Sequence, residues 1–208
     1  MSDELRRTPA QDRSARRLDL ILDTAAALLD EGSGIPTPTA IGRRAGMSHA
    51  AIYRYFDDGE AVVRALASRN LERFLGATAA VLGDPAITWQ EALRAATDEY
   101  AQLFRSEPGF RRIRLGDGVD SNLLSDSSTN KQVVAEALVR YFRDRFDTWD
   151  RPDYLLRVEA LLEMLDALVS RAFLLDRDGE VYFIDEAKRI GVSYLEEILE
   201  APGTPPVR

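Results

Sequence analysis

With 208 residues, 45% hydrophobic and 30% charged, the chain can bury a substantial core as one large or two small domains. The absence of cysteine removes disulfides, thiolate metal sites and cysteine nucleophiles, and a single histidine, His49, argues against imidazole metal sites and a Ser-His-Asp arrangement. A net charge of −8 argues at first against a nucleic-acid partner, but residues 1–70 carry ten arginines and ten carboxylates, so the whole excess lies beyond them.

Residues 1–13 are polar and contain Pro9, which reads as a tail with positive charge at Arg6, Arg7 and Arg13. That tail is either a solvated arm or a contact to a nucleic-acid backbone. Over 14–31, Leu18, Ile21, Leu22, Ala25, Leu28 and Leu29 recur at helical spacing, and Gly32 and Gly34 close the helix.

The stretch 37–56, TPTAIGRRAGMSHAAIYRYF, then reads as two short helices around a turn. Thr37 can cap the first, with Pro38 at the first helical position. Gly46 ends it, and Ser48 can cap the second. Ile41 with Ala45, and Ile52 with Phe56, are four apart and face inward, which leaves Ser48, His49, Ala50, Tyr53 and Tyr55 at or near a free polar edge.

Asp57 and Glu60 predict the start of a long helix over 57–82, which Gly83 and Pro85 stop. Further helices are expected over 89–106, 108–115, 129–146, 152–175 and 183–200, with a loop over 116–128. The one strand candidate, 181–184, is too short to matter, so the fold class is all-α. No apolar run reaches the length of a membrane span and the first residues do not resemble a signal peptide, so a cytoplasmic address without a membrane partner is expected.

In the second half, Tyr100, Phe104, Phe110, Ile113, Leu138, Tyr141, Phe142, Leu161 and Leu165, with Phe146 and Trp149, are candidates to line a pocket for an apolar effector. Ordinary core packing explains each of them separately as well. The segment 152–175 is apolar nearly all round, so it is either central in a monomer or covered by a second subunit.

The pattern T-x-x-x-I-x-x-x-A-G-M-S-x-x-x-I-Y-R-Y-F-x-x-x-E, after an amphipathic helix and before an all-helical remainder, resembles the TetR family of bacterial transcription regulators. The resemblance is specific over 18–66 and architectural beyond. It implies an N-terminal three-helix helix-turn-helix DNA-binding domain, residues 1–60, and a larger helical effector-binding and dimerisation domain, 61–208. It also implies that Ser48, His49 and Ala50 open a recognition helix in the major groove, that Tyr53 and Tyr55 reach the backbone, and that Thr37 caps a helix whose N-terminus points at a phosphate. Arg43 and Arg44 are adjacent, so one faces phosphate and the other is solvated, and Arg54 is open in the same way.

The partners so implied are a pseudo-palindromic double-stranded operator, a small-molecule effector and a second copy of the chain, with no cofactor, metal or catalytic residue. The dimer is expected on Leu161, Leu168, Ala172, Phe173, Val192, Leu195 and Leu199, as a two-fold four-helix bundle. The chain departs from the family at Gly59, where lysine is usual, which should lower the salt slope of DNA binding by about one unit. Two readings compete: a small helical enzyme using an acid pair such as Glu159 and Glu163, or a helical dimer that binds a protein partner without DNA.

Overall fold

The computed structural model describes residues 9–32, 34–114, 130–146 and 153–200, which form helices and turns with no strand among them. The first helix, α1 (Pro9–Asp30), starts earlier than periodicity predicts. Pro9 takes the first helical position, where a missing N–H costs nothing, and the polar residues after it join the helix instead of a tail. Arg6 and Arg7, the 116–128 loop and Trp149 lie outside the described residues.

α2 (Pro38–Ala45) and α3 (His49–Tyr53) flank Gly46 as expected. α4 (Gly59–Leu82) is capped by Asp58 rather than Asp57: the Asp58 carboxylate accepts the Ala61 N–H at 2.7 Å. α5 (Trp89–Ser106) opens with a reciprocal cap, in which Thr88 and Glu91 each accept the other's backbone N–H.

α6 (Phe110–Ile113) is a single turn, shorter than predicted. It is set against α1 by Gly109, which has φ 76° and whose Cβ, if present, would stand 3.0 Å from the Ala26 backbone. The Asp30 carboxylate accepts the Gly109 N–H at 2.9 Å and closes the same junction.

α7 (Asn130–Phe146), α8 (Tyr154–Ala172) and α9 (Val181–Glu200) complete the body. α8 ends at Ala172, and the weak strand candidate 181–184 is the first turn of α9. Two apolar cores result. Ile21, Ala25, Ile41, Ile52, Phe56, Val62 and Leu66 form the head core, and Tyr100, Phe104, Phe110, Val158, Leu161 and Leu195 belong to the body core. α4 runs through both, with Val62 to Ala67 in the first and Phe74 in the second. Among the described residues no helix is long and apolar enough to cross a membrane.

Candidate nucleic-acid interface and body cavity

In the head, both short helices are pinned by one fully buried isoleucine each, Ile41 in α2 and Ile52 in α3. Their caps are local: the Ala40 N–H donates to Thr37 Oγ1 at 3.2 Å and the Ala51 N–H to Ser48 Oγ at 3.3 Å. With the apolar side committed, Arg43, Ser48, His49, Ala50, Tyr53 and Arg54 are all exposed. The His49 ring rests on the Tyr53 ring with centroids 4.2 Å apart, so α3 presents these two side chains as one unit.

Two residues that the sequence groups with this edge have other work. Arg44 places its guanidinium fork on Glu31, at 2.7 and 3.2 Å, tying the end of α2 to the end of α1. That hydrogen bond and the Glu31 charge raise the Arg44 pKa further above its ordinary value. Tyr55 is half-buried against the head core, and its hydroxyl shares a hydrogen bond with Ser14 of α1 at 3.2 Å. This bond lowers the phenol pKa against the opposing effect of burial, with help from the Arg54 and Arg17 charges. Arg43, in contrast, is exposed with no ion-pair partner among the described residues.

In the body, α4, α5, α7 and α8 enclose a cavity of about 280 Å³. Its walls are apolar, from Phe74, Leu75 and Leu82 of α4 to Leu93 of α5, Val134 of α7 and Leu162 of α8. Of the candidate lining residues, Tyr100, Leu138 and Leu165 face it. Phe104, Phe110, Phe142 and Leu161 are packed into the body core, with Tyr141 half-buried beside them, and Ile113 joins the head core. The rings fill one another's space: Tyr100 meets Phe104 edge to face at 5.3 Å, Phe104 meets Phe110 at 5.1 Å, and Phe104 stacks on Phe173 at 4.9 Å.

Sequence reading missed the α4 wall and the polar end of the cavity. The available signal was Asp166, an acid set between Leu165 and Ala167 in the apolar stretch of α8. Its Oδ1 accepts the Tyr100 hydroxyl at 2.7 Å and that of Ser170 at 3.2 Å. Its Oδ2 lies 3.0 Å from both Lys131 Nζ and Arg114 Nη1. Burial pushes the Asp166 pKa up, but the Tyr100 hydrogen bond and the Lys131 and Arg114 charges outweigh it and hold the group below the ordinary aspartate value.

Arg114 joins this cluster to the rest of the protein. It is the only non-glycine residue with positive φ among the described residues, at 51°. Its carbonyl accepts the Asn70 side chain of α4 at 2.6 Å, and its neighbour Ile113 is buried in the head core. Glu163, half of the acid pair that the enzyme reading would use, pairs with Lys131 at 2.7 Å. No group of His, Cys, Asp or Glu among the described residues is placed to hold a metal.

Family models match both halves of the chain. The model for bacterial regulatory proteins of the tetR family covers residues 21–66, and that for a tetracyclin repressor-like C-terminal domain covers 87–199. The chain belongs to the TetR family. A crystal structure of a TetR-family transcriptional regulator from Streptomyces coelicolor is 32% identical, covers 88% of this chain and 99% of its own, and superposes with a TM-score of 0.73. The fatty acid degradation regulator FadR from Bacillus halodurans shares the fold at 15% identity, covering 90% of this chain and 96% of its own, with a TM-score of 0.68. RolR in complex with resorcinol does so at 20% identity, covering 94% and 98%, with a TM-score of 0.56. No curated protein matches the sequence.

This TetR-family head has a steric reason for lacking the usual lysine. A Cβ at Gly59 would stand 2.7 Å from the Pro36 carbonyl oxygen and 2.8 Å from Ile35 Cγ2, so the 35–36 loop crosses where a side chain would begin. In the TetR-family body, Leu161, Ala172, Phe173 and Leu195 are buried inside the protomer. Leu168, Val192 and Leu199 are half-buried at the edge of the core. The outer face of α8 instead carries Leu156, 69% exposed, then Ala160, Met164 and Ala167 at spacings of four, four and three.

Proposed function

We propose that this TetR-family regulator is a homodimeric repressor that holds a pseudo-palindromic operator through α2 and α3 and leaves it when a small molecule occupies the body cavity. The observation that carries the reading is Arg114. Its side chain is bonded to the cavity wall at Asp166, its carbonyl to α4 at Asn70, and its neighbour sits in the head core. An effector that favours one arrangement of these bonds shifts the population of head positions, and by linkage DNA shifts effector affinity equally.

In the bound state Ser48, His49 and Ala50 meet base edges, while Arg43, Arg54, Tyr53 and the Thr37-capped end of α2 meet phosphates. Arg44 and Tyr55 act behind them by fixing α2 and α3 on α1. The DNA-binding domain extends to about residue 60, and the remainder binds effector and partner subunit. The subunits pair through the outer faces of α8 and α9, with Leu156 and Met164 joining Leu168, Val192 and Leu199. Two heads then fit successive major grooves only if they stand ~34–36 Å apart or an allowed multiple. The protein acts in the cytoplasm, with no cofactor, metal or chemical step of its own.

Fluorescence anisotropy with the palindromes nearest its gene tests the reading. The expected result is specific binding by a dimer, with a linear fall of log affinity against log salt. Absence of specific binding at low salt to every such site would defeat it.

A further inference from the structure

A second cavity, of about 510 Å³, opens between head and body, where the end of α1 meets α6 and the end of α8. Its wall holds four arginines, Arg111, Arg112, Arg114 and Arg177, and one carboxylate, Asp30. We propose that this cleft binds a small molecule carrying at least two negative charges, of the phosphate-ester or diphosphate class. The site is distinct from the apolar cavity enclosed by α4, α5, α7 and α8.

Most of the positive charge in this wall meets no carboxylate. Arg111 gives its donors to main-chain oxygens, Nε to the Phe104 carbonyl at 2.9 Å and Nη2 to the Arg177 carbonyl. Carbonyls satisfy those donors without cancelling the charge. Among the described residues Arg112 and Arg177 have no ion-pair partner. The acids beside the cleft are engaged elsewhere: Glu31 takes Arg44, Glu107 takes Arg73, and Asp176 accepts the Asp178 N–H at 2.9 Å. Arg114 alone reaches a carboxylate, with Nη1 3.0 Å from both Asp166 and Ser170. Even with Arg114 assigned wholly to Asp166, and Asp30 set against one more guanidinium, two positive charges remain in the wall. A singly charged anion leaves one of them unmatched, and a dianion meets both.

The cleft is also arranged before any ligand arrives. Arg111 is half-buried, its guanidinium lies 5.3 Å from the centre of the Phe173 ring, and its two carbonyl bonds fix its plane. Little side-chain freedom is left for it to lose on binding. Its planar N–H groups suit the oxygens of a phosphate better than a point charge does. The buried Phe104 and Phe173 rings form the apolar part of the wall, and excluding water from that side strengthens the attraction between charges in the cleft.

Isothermal titration of the full chain with pyrophosphate, inorganic phosphate and acetate, at neutral pH and low salt, tests this. One pyrophosphate should bind per chain, at least about tenfold more tightly than acetate, the worth of one charge-assisted hydrogen bond. Inorganic phosphate should fall between them. Arg112→Gln and Arg177→Gln, both at exposed positions, should melt as the parent does and each weaken pyrophosphate about three- to tenfold. Arg43→Gln removes an exposed cation from the DNA-binding edge and separates the cleft from that surface. Pyrophosphate binding no tighter than acetate would overturn the assignment, as would unchanged affinity in both cleft variants. A loss in Arg43→Gln larger than in either of them would place the anion on the head and overturn it too. No DNA enters the titration, so its outcome and that of the operator assay are independent.

Discussion

The head and the body of this protein satisfy their buried polar groups in different ways. In the head the caps are local, Thr37 with Ala40, Ser48 with Ala51 and Asp58 with Ala61, and the buried Thr24 hydroxyl donates to the Leu20 carbonyl of its own helix. In the body a carboxylate is buried and, besides Ser170 four residues on, its partners come from far along the chain, 66 residues away for Tyr100 and 52 for Arg114. Local satisfaction makes a unit that presents its edge in one geometry. Long-range satisfaction makes a cluster whose arrangement depends on where four helices sit, which is what a ligand-sensitive element needs.

The sharpest way to break the contrast is to remove packing from the body alone. Phe110→Ala deletes a fully buried ring from the Tyr100–Phe104–Phe110 group and should cost about 3–5 kcal/mol in denaturant unfolding.

Next comes the buried charge itself. Asp166→Leu leaves Lys131 and Arg114 without their shared partner and should cost about 3 kcal/mol. That is the low end for a broken buried pair, because Arg114 is 30% exposed and Lys131 keeps Glu163. The acid limb of the stability profile reports the same group. Its folded pKa lies below the unfolded one, so its contribution is complete above the ordinary aspartate range. It is lost as the pH falls below about 4. The wild type should therefore lose more stability there than Asp166→Leu does, read by urea melts across pH.

Smaller effects sharpen the picture of the head. Gly59→Ala should destabilise by about 1–3 kcal/mol through overlap with Pro36, so restoring the family lysine at 59 should weaken the fold rather than strengthen DNA binding. Thermal melts together with anisotropy separate the two effects. Tyr53→Phe should leave stability unchanged and weaken DNA binding by about 0.5–1.5 kcal/mol on every sequence, as loss of one phosphate hydrogen bond does. A change of sequence preference in that variant would place Tyr53 on bases instead.

The legibility of the two regions follows the same division. Caps and helix faces depend on residues three or four apart, so α2, Gly46, Ser48 and the inward Ile41 and Ile52 could be read directly. Asp58 displaced Asp57 by one position because two adjacent acids offer the same cap. Among the candidate pocket residues, the aromatic Tyr100, Phe104 and Phe110 fill one another's space. Phe104 and Phe110 are as apolar as any wall residue, and only the ring contacts decide that no room is left between them.

The sequence by itself determined an all-helical chain with a capped helix-turn-helix near its start, because periodicity and capping are short-range chemistry. Only the tertiary structure decided the rest. It took Arg44 and Tyr55 away from the polar edge by giving them Glu31 and Ser14, and it filled the space at Gly59 with the Pro36 carbonyl. It also brought Asp166 and Lys131 together at one end of a cavity. Each of those outcomes depends on atoms that are distant along the chain and within a few ångströms in space, a relation that no spacing in the sequence encodes.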